Sequence, residues 1–122
     1  MEDKKILVIE DDVLNMKLVK SLLQLKNYAV LEAETAETGI QLARRRKPDL
    51  ILMDIQLPGM DGIEATKRIL NDSDLKNIPV IAVSSFAMQS DIDKALKTGI
   101  KEYLTKPIDK KSFFNTIKKY LG

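Results

Sequence analysis

The sequence predicts a doubly wound α/β domain: one parallel five-stranded sheet with helices on both faces. Three observations predict it. Short β-rich apolar runs alternate with helical stretches five times along the chain. The runs are continuous rather than alternating apolar with polar, as in strands buried on both faces. The length, 122 residues, suits one domain and leaves no room for a second. The expectation is therefore a single domain over residues 1–122, a three-layer (βα)5 sandwich. Right-handed crossovers leave few topologies, and the common five-stranded order is 2-1-3-4-5, with ligands beyond the carboxyl ends of the strands where the order reverses.

The elements follow in order. Lys5-Ile6-Leu7-Val8-Ile9 reads as the first strand, closed by Glu10-Asp11-Asp12, and a helix runs from Val13 to Lys26 and ends at Asn27. Tyr28-Ala29-Val30-Leu31 is the second strand; Thr35 caps a helix running to Lys47, before Pro48. The most apolar run, Leu50-Ile51-Leu52-Met53, stops at Asp54; Pro58-Gly59-Met60-Asp61-Gly62 is loop, and Ile63 to Leu70 is helical. Val80-Ile81-Ala82-Val83 ends in Ser84-Ser85, and the helix from Met88 to Thr98 stops at Gly99, a natural C-cap. Glu102-Tyr103-Leu104-Thr105 is the last strand, followed by Lys106-Pro107 and a helix from Asp109 to Leu121.

Composition excludes whole classes of chemistry. The chain has no Cys and no His, so disulfides, thiolate nucleophiles, cysteine or histidine metal sites and Ser-His-Asp triads are out. A phosphorylatable His of its own is out too. Twenty Lys and Arg against eighteen Asp and Glu leave a net charge of +2, which points to no nucleic-acid stripe. No run approaches the ~20 apolar residues of a membrane span, so the expected setting is cytoplasmic, with no membrane contact and no direct nucleic-acid contact. Carboxylates, hydroxyls and lysines must do the work.

Those groups collect at the strand ends. Glu10, Asp11 and Asp12 follow the first strand, Asp54 the third, Ser84 and Ser85 the fourth, and Lys106 the fifth. Singly, each also suits a cap, a turn or a solvated surface; together they are the types one reaction requires. In the order 2-1-3-4-5 the acids and Asp54 converge, and converging carboxylates repel unless a cation joins them. Oxygen ligands alone select a hard ion, Mg2+ with Mn2+ as substitute. A carboxylate beside such an ion, faced by a lysine and a hydroxyl, suits phosphoryl transfer onto Asp54.

These segments resemble the receiver domain of two-component response regulators, the CheY-like family, over essentially the whole chain. The resemblance is carried by Ile6-Leu7-Val8-Ile9-Glu10-Asp11, Pro48-Asp49-Leu50-Ile51-Leu52-Met53-Asp54, Leu57-Pro58-Gly59-Met60-Asp61-Gly62, Pro79-Val80-Ile81-Ala82-Val83-Ser84 and Tyr103-Leu104-Thr105-Lys106-Pro107. Leu14-Asn15-Met16-Lys17-Leu18, Asp54-Ile55-Gln56-Leu57-Pro58 and Phe86-Ala87-Met88 are similar to stand-alone, single-domain regulators of the DivK type. The resemblance implies a flavodoxin-like fold and Asp54 as phosphoacceptor. It implies Asp11 as a direct Mg2+ ligand, Glu10 acting through water, and the backbone carbonyl of Gln56 as a further ligand. Ser84 would be the switch hydroxyl, Lys106 the phosphate-pairing lysine and Tyr103 the switch aromatic, with a cis Lys106–Pro107 bond. Glu10 where the family commonly has Asp, Ser85 where it usually has Ala, and Phe86 at the pocket mouth are departures.

On this reading the chain is a switch rather than an enzyme, assisting its own phosphorylation and dephosphorylation. The donor is a phosphohistidine on a sensor histidine kinase or histidine phosphotransferase, and the output is a change of protein contacts. The first helix carries two apolar stripes, Leu14-Leu18-Leu22-Leu25 and Met16-Val19-Leu23; one packs on the sheet, and the other is either a docking face for the donor's helical bundle or deeper core. Lys101, Lys110, Lys111, Lys118 and Lys119 offer a basic face to an acidic partner or to solvent, and Arg44-Arg45-Arg46-Lys47 complements its helix's carboxyl end. The alternative is an Mg2+-dependent phosphohydrolase of the haloacid-dehalogenase type. That family places its nucleophile after the first strand and needs an Asp two residues later, where this chain has Gln56. A flavodoxin-type FMN carrier would need a Ser/Thr/Gly-rich phosphate loop after the first strand, and none is there.

Overall fold

The structure, a computed structural model, describes residues 3–86 and 88–122. Ala87, in the middle of Phe86-Ala87-Met88, lies outside the described residues. Strands β1 (Lys5–Ile9), β2 (Ala29–Ala33), β3 (Leu50–Asp54), β4 (Val80–Ser84) and β5 (Glu102–Thr105) alternate with helices α1 (Val13–Leu25), α2 (Ala36–Arg46), α3 (Gly62–Leu70), α4 (Gln89–Thr98) and α5 (Lys110–Leu121). The sheet order is β2-β1-β3-β4-β5, and every neighbouring pair is parallel.

The continuous apolar runs are explained by two cores, one on each face. Ile6, Val8, Leu50, Leu52, Ile81 and Val83 pack with α1 and α5 through Met16, Val19, Leu23 and Phe113. The alternate residues Leu7, Ile9, Ile51, Met53, Val80 and Ala82 pack on the other face with α2, α3 and α4. A strand with period-2 side chains that must bury both sides has no polar positions to spare.

Polar caps set where four of the five helices begin; α4 starts after Met88 without one. The carboxylates of Asp12, Asp61 and Asp109 accept from the backbone N–H three residues on, at 2.9–3.0 Å. Thr35 and Thr38 form a reciprocal capping box. Helix α2 stops at Arg46, one residue short of the expected end, because Lys47 turns left-handed (φ 47°) and Pro48 disfavours helical geometry before it. Strand β2 runs two residues past its apolar run and starts one later: Glu32 and Ala33 pair with Val8 and Ile9. Ladder bonds are made by backbone, which apolarity does not report.

One glycine is a requirement of the fold. A Cβ on Gly62 would stand 2.7 Å from the Asp54 carbonyl oxygen and 2.9 Å from the Ile55 Cα, both backbone. The close approach lets the Gly62 N–H donate to the Ile55 carbonyl at 3.1 Å and seats α3 against the end of β3. Gly62→Ala is expected to cost about 1–3 kcal/mol, read as a lower urea midpoint at unchanged m-value.

Candidate functional site

The end of β1, the end of β3 and the segment after β5 meet over the sheet. Carboxylate oxygens of Glu10, Asp11 and Asp54 all lie within 4.8 Å of one another. Glu10 and Asp54 are buried, at 4% and 6% exposure, while Asp11 is open to solvent. Like charges this close and this dry require a cation. Lys106 supplies one, its Nζ donating to Glu10 Oε1 at 2.7 Å and to Asp54 Oδ2 at 3.2 Å.

The remaining carboxylate oxygens are also held. The Gln56 backbone N–H donates to Asp54 Oδ1 at 3.0 Å, and the Asp12 N–H donates to Glu10 Oε2 at 3.3 Å. Burial raises the Glu10 carboxyl above its ordinary range, reinforced by Asp54 and opposed by Lys106. Burial also acts to lower the Lys106 ammonium, but its hydrogen bond to Glu10 and the charges of Asp54 and Glu10 outweigh that and raise it. The lysine therefore stays charged, and the pocket holds one fixed cation among three acids.

Ser84, fully buried, ends β4. Its Oγ accepts from the Phe86 N–H at 3.1 Å, while the Tyr103 hydroxyl donates to the Phe86 carbonyl at 2.8 Å. The Lys106 N–H donates to the Ser84 carbonyl at 2.9 Å. Ser84, Tyr103 and Lys106 are thus joined through the backbone of one residue, Phe86, and one ladder bond. The Lys106–Pro107 bond is cis, as expected.

The structure brings Glu10, Asp11, Asp54 and Lys106 into one contact cluster, with Gln56 bound to Asp54 through its N–H. Tyr103 reaches the site only through the Phe86 backbone. Sequence reasoning missed the Phe86 backbone as the joint between Ser84 and Tyr103, because backbone groups leave no side-chain signal. It also missed Asp91 and Lys94, which line a groove of about 580 Å³ shared with Asp11, Gln56 and Phe86; i, i+3 spacing on a polar helix is too common to single them out.

Over residues 6–118 the chain matches the family described as response regulator receiver domain. The chain belongs to the response regulator receiver domain family. A receiver-family relative, the polar-differentiation response regulator DivK of Brucella anthropi, is 44% identical over 119 residues, which is 98% of this chain and 97% of its own. Among solved receiver domains, that of a sensor histidine kinase from Pseudomonas aeruginosa PAO1, with a magnesium ion coordinated in its active site cleft, superposes with a TM-score of 0.91 at 29% identity, covering 99% of each chain. A CheY-like receiver domain protein from Methanospirillum hungatei gives 0.90 at 28% identity, covering 98% of this chain and 94% of its own. This receiver domain is therefore a component of two-component signalling, and the phosphohydrolase alternative gives way to it. No helix among the described residues is long and apolar enough to cross a membrane.

Proposed function

We propose that this receiver domain takes a phosphoryl group onto Asp54 from a partner's phosphohistidine and thereby changes its protein contacts. The observation that carries the proposal is the Lys106 bridge: a buried carboxylate held between a backbone N–H and an ammonium, beside two further acids. Asp54 Oδ attacks the phosphorus in line, and the bond to the donor nitrogen breaks with its electron pair leaving on the donor. Phosphorylated Asp54 presents new oxygens to Lys106, which gives up part of its contact with Glu10. Ser84 turns its hydroxyl toward the same oxygens and releases the Phe86 N–H. Because the Phe86 carbonyl is tied to Tyr103, a change at Ser84 reaches the surface through the Phe86 backbone.

The donor set fits a hard divalent ion: three carboxylates, no soft ligand, and an open side at Asp11. Asp11 and Asp54 would hold Mg2+ directly, Glu10 through water, with the Gln56 carbonyl completing the protein ligands. The ion would supply charge neutralisation for the incoming phosphoryl group. Mn2+, equally hard, would substitute. Mg2+ at ten times its dissociation constant is expected to add about 1.4 kcal/mol, a rise of roughly 3–6 °C in Tm, abolished by chelation and by Asp11→Asn.

For docking, α1 presents Leu14 and Leu25, 76% and 70% exposed, with Leu18 between them, whereas Met16, Val19, Leu22 and Leu23 are buried. The exposed stripe suits the helical bundle of a histidine kinase or histidine phosphotransferase. The basic residues of α5 suit an acidic output partner. The whole of residues 1–122 then acts as one receiver domain in the cytoplasm, assisting its own phosphorylation and hydrolysis. Phe86, about half exposed, shields the acyl phosphate from water.

The test is intact mass after incubation with acetyl phosphate and Mg2+. One phosphoryl group is expected on the wild type, none after chelation and none on Asp54→Ala. Equal uptake by Asp54→Ala would sink the assignment.

A further inference from the structure

Asp11 and Gln56, two of the residues given to Mg2+, line the groove of about 580 Å³ whose other wall includes Asp91 and Lys94 of α4. Asp11 is the exposed member of the acid cluster, and a hard divalent ion of this size keeps several of its waters. The groove is therefore the side from which a hydrated ion enters and on which it stays wet. Asp91 stands there in the first turn of α4, partly buried. Among the described residues its carboxylate makes no ion pair, although Lys94 follows three positions later. The other acid of the groove, Asp61, is committed to capping α3, where it accepts from the Glu64 N–H at 2.9 Å. Asp93, two residues beyond Asp91, differs on both counts. It accepts from the Gln89 side-chain amide at 2.8 Å, and it lines a separate hollow between α3 and α4, beside Lys67 and Lys97.

We propose that Asp91 is a positioning residue for Mg2+, acting on the ion across its waters from the α4 wall of the groove without ligating it. The inference rests on the Mg2+ reading of Glu10, Asp11 and Asp54. A carboxylate facing a divalent ion over water attracts it by a screened Coulomb interaction, and groups beyond the direct ligands tune metal affinity in this way. Lys94, on the same wall and with the opposite sign, offsets part of that attraction.

The experiment titrates the unphosphorylated full chain with MgCl2 by calorimetry, so that it reads binding and not phosphoryl transfer. Asp91→Asn is expected to raise the Mg2+ dissociation constant about two- to fourfold at low ionic strength, an increase that closes in about 0.5 M KCl. Asp91→Glu, which keeps the charge, is expected to bind as wild type. Lys94→Gln is expected to tighten binding, the opposite sign. Asp93→Asn makes the same charge change on the same helix but away from the groove, and is expected to shift nothing. An acid in the first turn also favours the helix itself; that role lowers stability equally with and without Mg2+ and does not move the dissociation constant. An unchanged constant in Asp91→Asn, an equal shift in Asp93→Asn, or a shift insensitive to salt overturns the proposal while leaving the Mg2+ site in place. Absence of binding by the wild type overturns both.

Discussion

Lys106→Met is expected to slow phosphoryl uptake from acetyl phosphate by about two orders of magnitude and to cost about 2–3 kcal/mol of folding stability. Both losses come from one atom. Lys106 Nζ is the only cation bonded to Glu10 and Asp54 among the described residues, and both carboxylates are buried. Without it they face each other with only the Asp12 and Gln56 N–H groups for compensation. The cost stays at the low end for a broken buried pair because the pocket is open to water beside Asp11.

The pH dependence of that loss has a definite sign. Burial and Asp54 already hold Glu10 above its ordinary range, and deleting Lys106 removes the group that opposes them. A group with a raised folded pKa contributes stability below its unfolded value and loses it as pH rises through the folded one. The Lys106→Met defect is therefore largest at neutral and alkaline pH and shrinks as the pH falls through the Glu10 titration. Glu10→Gln/Lys106→Met restores most of the stability and none of the uptake rate. Urea melts across pH, with rates from intact mass, separate the two; a defect flat with pH would refute the like-charge explanation.

Most of this was legible in the sequence because four of the five strands end in, or run directly into, a functional residue. Burial on both faces forces the runs Leu50–Met53 and Val80–Val83 to be wholly apolar, so Asp54 and Ser84 stand out as the first polar residues after them. Edge strand β2 was less legible, since its hydrogen-bonded register continues through Glu32, whose side chain gives no apolar signal. On α1 the two stripes were visible, but only packing sorts their residues: Met16, Val19 and Leu23 join the core, Leu22 of the other stripe joins them, and Leu14 and Leu25 do not. The state of Lys106 was not legible either. A lysine after the last strand says that a cation is available, not that it already spans two carboxylates. The Phe86 backbone, its N–H bonded to Ser84 and its carbonyl to Tyr103, carries no mark in a sequence at all.

Phe113→Ala is expected to remove about 3–5 kcal/mol of stability, a fall of roughly 10–20 °C in Tm, and to leave phosphorylation near the wild-type rate at temperatures where the variant stays folded. Phe113 is fully buried on α5, packs with α1 and the sheet, and meets the Phe114 ring at a centroid distance of 5.7 Å. Truncation empties a site that the surrounding strands cannot collapse to fill. The chemistry survives because what positions it is elsewhere: Asp54 is held by Gln56 and Lys106, and Lys106 is tied by its backbone to Ser84. Lys106→Met is the converse, a modest loss of stability with a large loss of chemistry. If Phe113→Ala instead lost phosphorylation while its circular dichroism stayed native, the α5 packing would have to set the position of Lys106, and the site would be less self-contained than its hydrogen bonds indicate.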